Sequence, residues 1–556
     1  MKYIAALVLY VAAPMMLLTQ EPGPLARLQR DWLPETTAGP GKCGTPLIFD
    51  AMHLWPRMSL ESRQSLISLL QRPPAQKNRL SAQSRFRIHY DSTGSHQPAM
   101  LQGDTLRAAN SHEQYVDSVA SILEYCWERE ITGLGFAPPP PDNEEGGGNE
   151  YDVYIWELGP GTFGYTVWDA SDALDTGPRQ RYPTFIVLDR DFLGERTPGL
   201  AGLRVTAAHE FHHAIQVGAY GVWLDVPSSD FYFYELSSVW MEETVFDDIN
   251  DYRFDLPNFF VDFVDARGQS RPFNAYEGAF RGYERSVWAF FLEDRFGADT
   301  MRKIWETMRS VPAVASMDQV LRGKGSDLRL AFLEFGTWNL FTSHRSKPGL
   351  YYREAQYFPS MTMNSSIVVS GFKSALSGSA WPWSLQYHGF LFSDDTLVAV
   401  LAHADLDQLY EGRSETFEVS VGSQTSSGAV QALFRGGSAA FLSASYENWR
   451  TRYVSTATGM DAGANSFPAP NPLRLAFTSV LTLPADGSFD GPADVHVLSP
   501  SLDLVYRGSY AVTRPLGKAV VTIPVSDFSS HVSSGVHFFH VKTAMRDYTW
   551  KLLLIR

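Results

Sequence analysis

The chain has 556 residues, 44% apolar and 13% aromatic, with a formal charge of −15 and a pI near 5.4. That is enough apolar material for roughly three or four packed domains. The acidic balance, with no basic cluster or stripe, argues against a nucleic-acid or anionic-membrane role. With only two cysteines, Cys43 and Cys126, a four-cysteine metal site within one chain is excluded, and one disulfide is allowed in an oxidising compartment.

The opening "MKYIAALVLYVAAPMMLLTQ" has one Lys before an apolar stretch from Ile4 to Leu18, interrupted by Pro14. It is short for a membrane span and reads as a secretory signal peptide over residues 1–20, implying a secreted or cell-surface protein. An uncleaved anchor is the alternative. Cys43 lies far beyond the apolar run, which argues against a lipoprotein anchor. Residues 21–84 are rich in Pro, Arg and Gln with one helical patch, "SRQSLISLLQR", and read as a pro-segment or N-terminal arm. No later segment is long and apolar enough to span a membrane.

From residue 85 the pattern becomes regular. "RFRIHYD" (85–91), "YDVYIWEL" and "TFIVLDRDF" read as strands, and "EQYVDSVASILEYCWEREIT" (113–132) as a helix. The Pro/Gly-rich "APPPPDNEEGGGN" is a loop. "GLRVTAAHEFHHAIQV" contains no Pro and is followed by Gly218, which predicts a buried helix over 200–217. On it His209 and His213 are four residues apart and share a face, offering two imidazoles to one ion. Glu210 lies about 100° round from His209, placed to reach a water held by the metal without ligating it. This is the HExxH arrangement, in which Zn2+ acidifies a water while the Glu takes its proton and passes it to the leaving amine. His212 is turned off the ligand face and reads as structural.

A third ligand is required. The metzincin continuation HExxHxxGxxH fails, because Gln216 and Ala219 stand at its Gly and third His positions. The segment "SSDFYFYELSSVWMEETVFDDIND" (228–251), whose "SSD" can cap a helix, supplies carboxylates at Glu235 and, two turns later on the same face, Glu242. "YELSSVWME" resembles the gluzincin pattern E-G-x-A-x-Y-x-E. The resemblance implies Glu235 as the ligand, with Glu242 as its support or substitute. Val239 departs from thermolysin-like enzymes, which carry Asp there. "AFRGYERSVWAFFLEDRFG" (279–297) resembles the Tyr-bearing helix of gluzincin-like families. That implies Tyr283 as oxyanion stabiliser, with Tyr276 in reserve, although Glu284 replaces the usual Gly. "FDDINDY" (246–252) offers oxygen ligands for a structural Ca2+, but it lacks the EF-hand spacing and central Gly, so a solvated helix end is the preferred reading.

The chain is helical again from about 286 to 342, and past 364 short β runs alternate with Gly/Ser turns. The expected fold class is therefore α+β: a zincin-like metallopeptidase domain over 85–345, then β-sandwich domains over 364–465 and 468–556, joined near "FPAPNP".

"HEFHHAIQ", "FYELSSVWMEE" and "RGYERSVWAFFLEDRFG", with "KCGTP", "FRIHYDSTG" and "NEYDVYIWELG", resemble a family of secreted bacterial zinc metalloproteases distantly akin to the immune-inhibitor-A type. The resemblance covers about residues 40–345 and implies a zinc endopeptidase acting on protein or peptide substrates. The C-terminal stretch from "PAPNPLRLAF" to "KLLLIR" resembles the FlgD-like immunoglobulin domain of secreted bacterial proteins, which implies attachment to a cell surface or secretion machinery. "GKCGTP" resembles the matrixin propeptide motif R-C-G-x-P, implying a thiol cap on the zinc. The competing and preferred expectation is a Cys43–Cys126 disulfide, given a secreted chain with two cysteines.

The reading is a secreted zinc endopeptidase with His209, His213 and Glu235 as ligands and Glu210 as general base. Its rival is an inactive surface or adhesion protein on a zincin scaffold. A serine hydrolase lacks its G-x-S-x-G.

Overall fold

A computed structural model describes residues 41–168, 171–223, 230–347 and 349–369. From 373 it describes 373–391, 396–404, 415–423, 430–436, 442–448, 456–457, 473–476, 478–484, 491–499, 504–513, 519–543 and 547–556. The expected signal peptide (1–20), residues 21–40 of the expected pro-segment and the "FPAPNP" linker lie outside the described residues. The molecule is mixed α+β, and backbone contacts divide it into two compact units, residues 1–131 with 137–224 and residues 132–136 with 225–556. No helix among the described residues is long and apolar enough to cross a membrane.

In the first unit α1 (Thr45–Leu54) and α2 (Leu60–Leu69) precede β1 (Lys77–Leu80) and β2 (Phe86–Tyr90). Next come α3 (His112–Trp127), β3 (Tyr151–Trp156), β4 (Gly164–Val167), β5 (Phe185–Asp189) and α4 (Gly199–Ile215). The sheet runs β1-β2-β3-β5-β4, with β2, β3 and β5 parallel and antiparallel strands at both edges. Strands β3, β4 and β5 are almost wholly buried, which explains their continuous apolar and aromatic composition. Residues 41–84 are more than an arm, because α1 is buried along most of its length and β1 pairs with β2 from Lys77↔Tyr90 to Leu80↔Arg87.

Helix α4 is buried on nearly every side, as expected for a helix apolar all round. Phe211 anchors it, its ring 5.3 Å from Phe86, 5.8 Å from Trp127 and 6.1 Å from Tyr151. Two residues either way along a helix is about 200°, so the side of α4 opposite Phe211 carries His209 and His213. The helix does not stop at Gly218; a π turn continues through Gln216–Tyr220 and ends at Gly221, whose φ is +83°.

The second unit opens with α5 (Phe231–Val245), followed by α6 (Val287–Phe296), α7 (Thr300–Thr307), α8 (Ala313–Gly323) and α9 (Leu328–Leu340). Asp230 stands at the N-cap of α5 as the sequence suggests, but its side chain does not cap that helix. It accepts instead from the Ala313 N–H at the start of α8, 2.9 Å away. An aromatic core built on Phe273, Trp288, Phe332 and Phe335 joins these helices to Trp383. Residues 365–457 form two four-stranded sheets whose inward residues, among them Phe390, Leu401, Phe417 and Val419, share one core. Helix α9 packs directly on them: a Cβ at Gly336 would lie 2.8 Å from Val400 and 2.9 Å from Leu385.

The last strands depart from the expected two-sheet sandwich. Seven strands form one hydrogen-bonded series around a single core that includes Leu481, Val495, Ile523, Phe528, Phe539 and Leu552. The cause is strand Leu504–Thr513, ten residues long. It pairs with Pro492–Leu498 and, at its far end, with Val520–Pro524 through Val512↔Val521, so it belongs to both halves.

Candidate metal centre

Cys43, His209, His213 and Glu235 form a buried group whose ligating atoms all lie within 4.8 Å of one another. It is the one such group among the described residues. The two imidazoles come from α4, with Nε2 atoms 3.1 Å apart. Two nitrogens held by one tetrahedral zinc at about 2.0–2.1 Å would sit roughly 3.3 Å apart, so the helix has already set this spacing. His213 Nδ1–H donates to Gln216 Oε1 at 2.8 Å, fixing the tautomer that leaves the Nε2 lone pair facing the cluster. The carboxylate comes from α5. Two imidazoles, a thiol and a carboxylate, all buried, are the donor types that zinc takes, and they fit such an ion.

Glu210 is fully buried beneath the edge strand. Its Oε2 accepts from Thr166 Oγ1 at 2.8 Å and from Thr45 Oγ1 at 3.2 Å. Its Oε1 has no hydrogen-bond partner among the described residues, an acceptor facing no donor of the fold. Gly164 allows the close approach: a Cβ there would meet Thr206 Cγ2 at 2.8 Å and Glu210 Cγ at 3.2 Å.

Glu242 is buried on α5 but is not a member of the group. Tyr283 is nearly buried, at a short 3-10 turn before α6. Gly282, with φ +122°, presses that turn against α5: a Cβ would meet Tyr232 O at 2.3 Å and Glu235 Cβ at 2.9 Å. Glu284, in place of the usual Gly, accepts the Gly282 N–H at 3.1 Å and pairs with buried Arg285 at 2.7 Å, so it shapes the turn. Tyr276 packs its ring on Phe231, 5.7 Å away. At 246–252, Asp247 and Asp248 are exposed and Asp251 is buried.

The expected Cys43–Cys126 disulfide is corrected by the structure: the two cysteines are buried and not joined. Cys43 is held among the metal-type ligands. Cys126 sits on the buried face of α3, where burial raises its pKa well above the ordinary range and keeps it a neutral thiol. His212 Nδ1 meets Glu130 Oε2 at 3.1 Å, with both side chains fully buried. Burial pushes the imidazole pKa down and the carboxyl pKa up, so a neutral pair ties α4 to the turn after α3.

Sequence reasoning did not single out Thr45, Thr166 or Gln216, the residues that orient Glu210 and His213. The available signal for Thr45 was its place two residues after Cys43. Strand β4 went unread because four residues between Gly-rich turns give too short a period.

No family model matches this chain, and no curated protein matches it.

Proposed function

We propose that this chain is a secreted zinc-dependent endopeptidase. His209, His213 and Glu235 hold the ion, Glu210 is general base and then acid, and the Tyr283 hydroxyl steadies the oxyanion. The observation that carries the reading is the convergence of three HExxH-type donors in one buried group, with Glu210 beside it and one carboxylate oxygen left over. A bound zinc ion supplies a more acidic water and polarises the peptide carbonyl.

The chain's own residues then do the rest. Thr166 fixes one oxygen of Glu210, which aims the other. Glu210 takes a proton from the attacking water, and the oxygen adds to the carbonyl carbon. As the C–N bond breaks, Glu210 returns that proton to the leaving nitrogen. Hydrogen bonding by Tyr283 strengthens as negative charge builds on the carbonyl oxygen. The resemblance of the helical motifs to immune-inhibitor-A-type enzymes supports the same chemistry. Within this proposal, the N-terminal apolar stretch directs export and the C-terminal β domain attaches the enzyme to a cell surface.

A second reading rests on Cys43. Four protein donors make a closed structural zinc site, as an inactive surface or adhesion protein would keep. Zinc content and casein hydrolysis, measured with Glu210 intact and as Glu210→Gln in a Cys43→Ala chain, decide between them. The peptidase retains zinc in both and loses turnover in the Gln variant. Equal turnover with and without Glu210 defeats the assignment.

A further inference from the structure

The segment 42–45 does more than bring a sulfur to the cluster. Strand β4 pairs with β5 on one side and is the last strand of the sheet. Its other side is filled by Lys42–Gly44, running parallel to it. Phe163 N–H and Gly164 N–H donate to Lys42 O at 2.7 and 3.3 Å, and Gly44 N–H donates to Gly164 O at 2.9 Å. An open sheet edge beside a hydrolytic centre is where an extended peptide would add as a strand. The next residue carries the contact to the base: Thr45 Oγ1 accepts from Thr166 N–H at 2.9 Å and donates to Glu210. Beyond it α1 is buried, and the Phe49 ring meets His213 edge-on at 6.3 Å.

We propose that residues 42–45 are a built-in inhibitory strap, a proposal that rests on the zinc-peptidase reading. With zinc bound, Cys43 would supply a fourth protein donor and leave no position for the reacting water. The Lys42–Gly44 backbone fills the edge a substrate would use, while Thr45 hydrogen-bonds one oxygen of Glu210 and leaves the other open. The place of the water and the edge for the substrate are thus both taken by the chain itself, so the intact protein is latent. Were the strap to open with zinc bound, Cys43 would give up its place to water and take a proton from solvent, with no electron transferred. The turn after α1, with Arg57 and Ser59–Glu61 exposed, lies downstream of Cys43 and offers a cleavage point that would free the strap.

The test uses the full chain loaded with zinc or cobalt(II). The wild type is expected to hydrolyse casein weakly, and Cys43→Ala faster by about tenfold or more at unchanged metal stoichiometry. Cobalt-loaded wild type should show a sulfur-to-metal charge-transfer band that Cys43→Ala lacks. Equal hydrolysis by both chains without that band overturns the strap and leaves the peptidase standing. A band with no hydrolysis by either metal-loaded chain overturns strap and peptidase together in favour of a closed structural site. Absence of metal binding removes both. Should Cys43→Ala not fold, the band in the wild type alone decides, its absence overturning the proposal.

Discussion

Two buried polar clusters in this protein solve the same electrostatic problem in different ways. Around β2 and β3, Arg72 pairs with Asp142 and Asp152 at 2.5 Å each and with Glu145 at 3.1 Å, and His89 meets Asp152 at 2.7 Å. One guanidinium there draws three carboxylates together, so the ion pairs are made within the chain. The Cys43–His209–His213–Glu235 group instead brings two imidazoles, a thiol and a carboxylate within 4.8 Å of one another. Those are the donor types that a zinc ion takes. The lesson is that buried polarity alone does not mark a site. What marks it is the kind of donor that is gathered.

The contrast can be attacked in order of expected effect. The largest concerns chemistry: in the Cys43→Ala background, Glu210→Gln should lower kcat by roughly a thousandfold, about 4 kcal/mol of activation free energy, while metal content by mass spectrometry is unchanged. Next is the Arg72 cluster. Arg72→Met leaves Asp142 and fully buried Asp152 without their cation and should cost about 3 kcal/mol or more in urea denaturation. Zinc content should not move, and if it falls the two clusters are not independent. Third, zinc at about a hundred times its Kd should stabilise the wild type by roughly 2.7 kcal/mol against the chelated protein. Thermal melts should show that increment intact in Arg72→Met and abolished in His213→Ala.

The smallest effect sharpens the comparison with a carboxylate that has neither cation nor metal ligands beside it. Burial pushes the Asp230 pKa up to about 6, against its one hydrogen bond from Ala313 N–H. Between pH ~4 and ~6 the unfolded chain releases this proton while the folded chain keeps it, so stability falls as pH rises through that window. Asp230→Asn should therefore be more stable than wild type by on the order of 2 kcal/mol at pH 8 and equal to it near pH 4. A constant difference across the range would show that the carboxyl is not neutral in the fold.

Much of the centre was legible because helical spacing is local. His209 and His213 share a face at any i,i+4 separation. Glu235 needed only a second helix and a familiar distance along the chain. Cys43 was legible as chemistry but not as placement. Counting two cysteines in a chain read as exported favours a bridge, and no local rule says that one of them is sequestered by backbone pairing to Gly164. The seven-stranded terminal sheet is a similar case. The β runs were plain, but whether they close as two sheets or one depends on where Leu504–Thr513 finds its partners.

The sequence by itself determined the helices that carry His209, His213 and Glu235 and the donor residues on them, since these follow from periodicities within a dozen residues, whereas helix α1 beside them went unread. The tertiary structure alone decided which of the donors meet, which oxygen of Glu210 is left without a partner, and that an N-terminal strand lies along the edge of β4. Such contacts join residues far apart in the chain, 165 positions for Thr45 and Glu210, and their energies depend on burial that no short window of sequence contains.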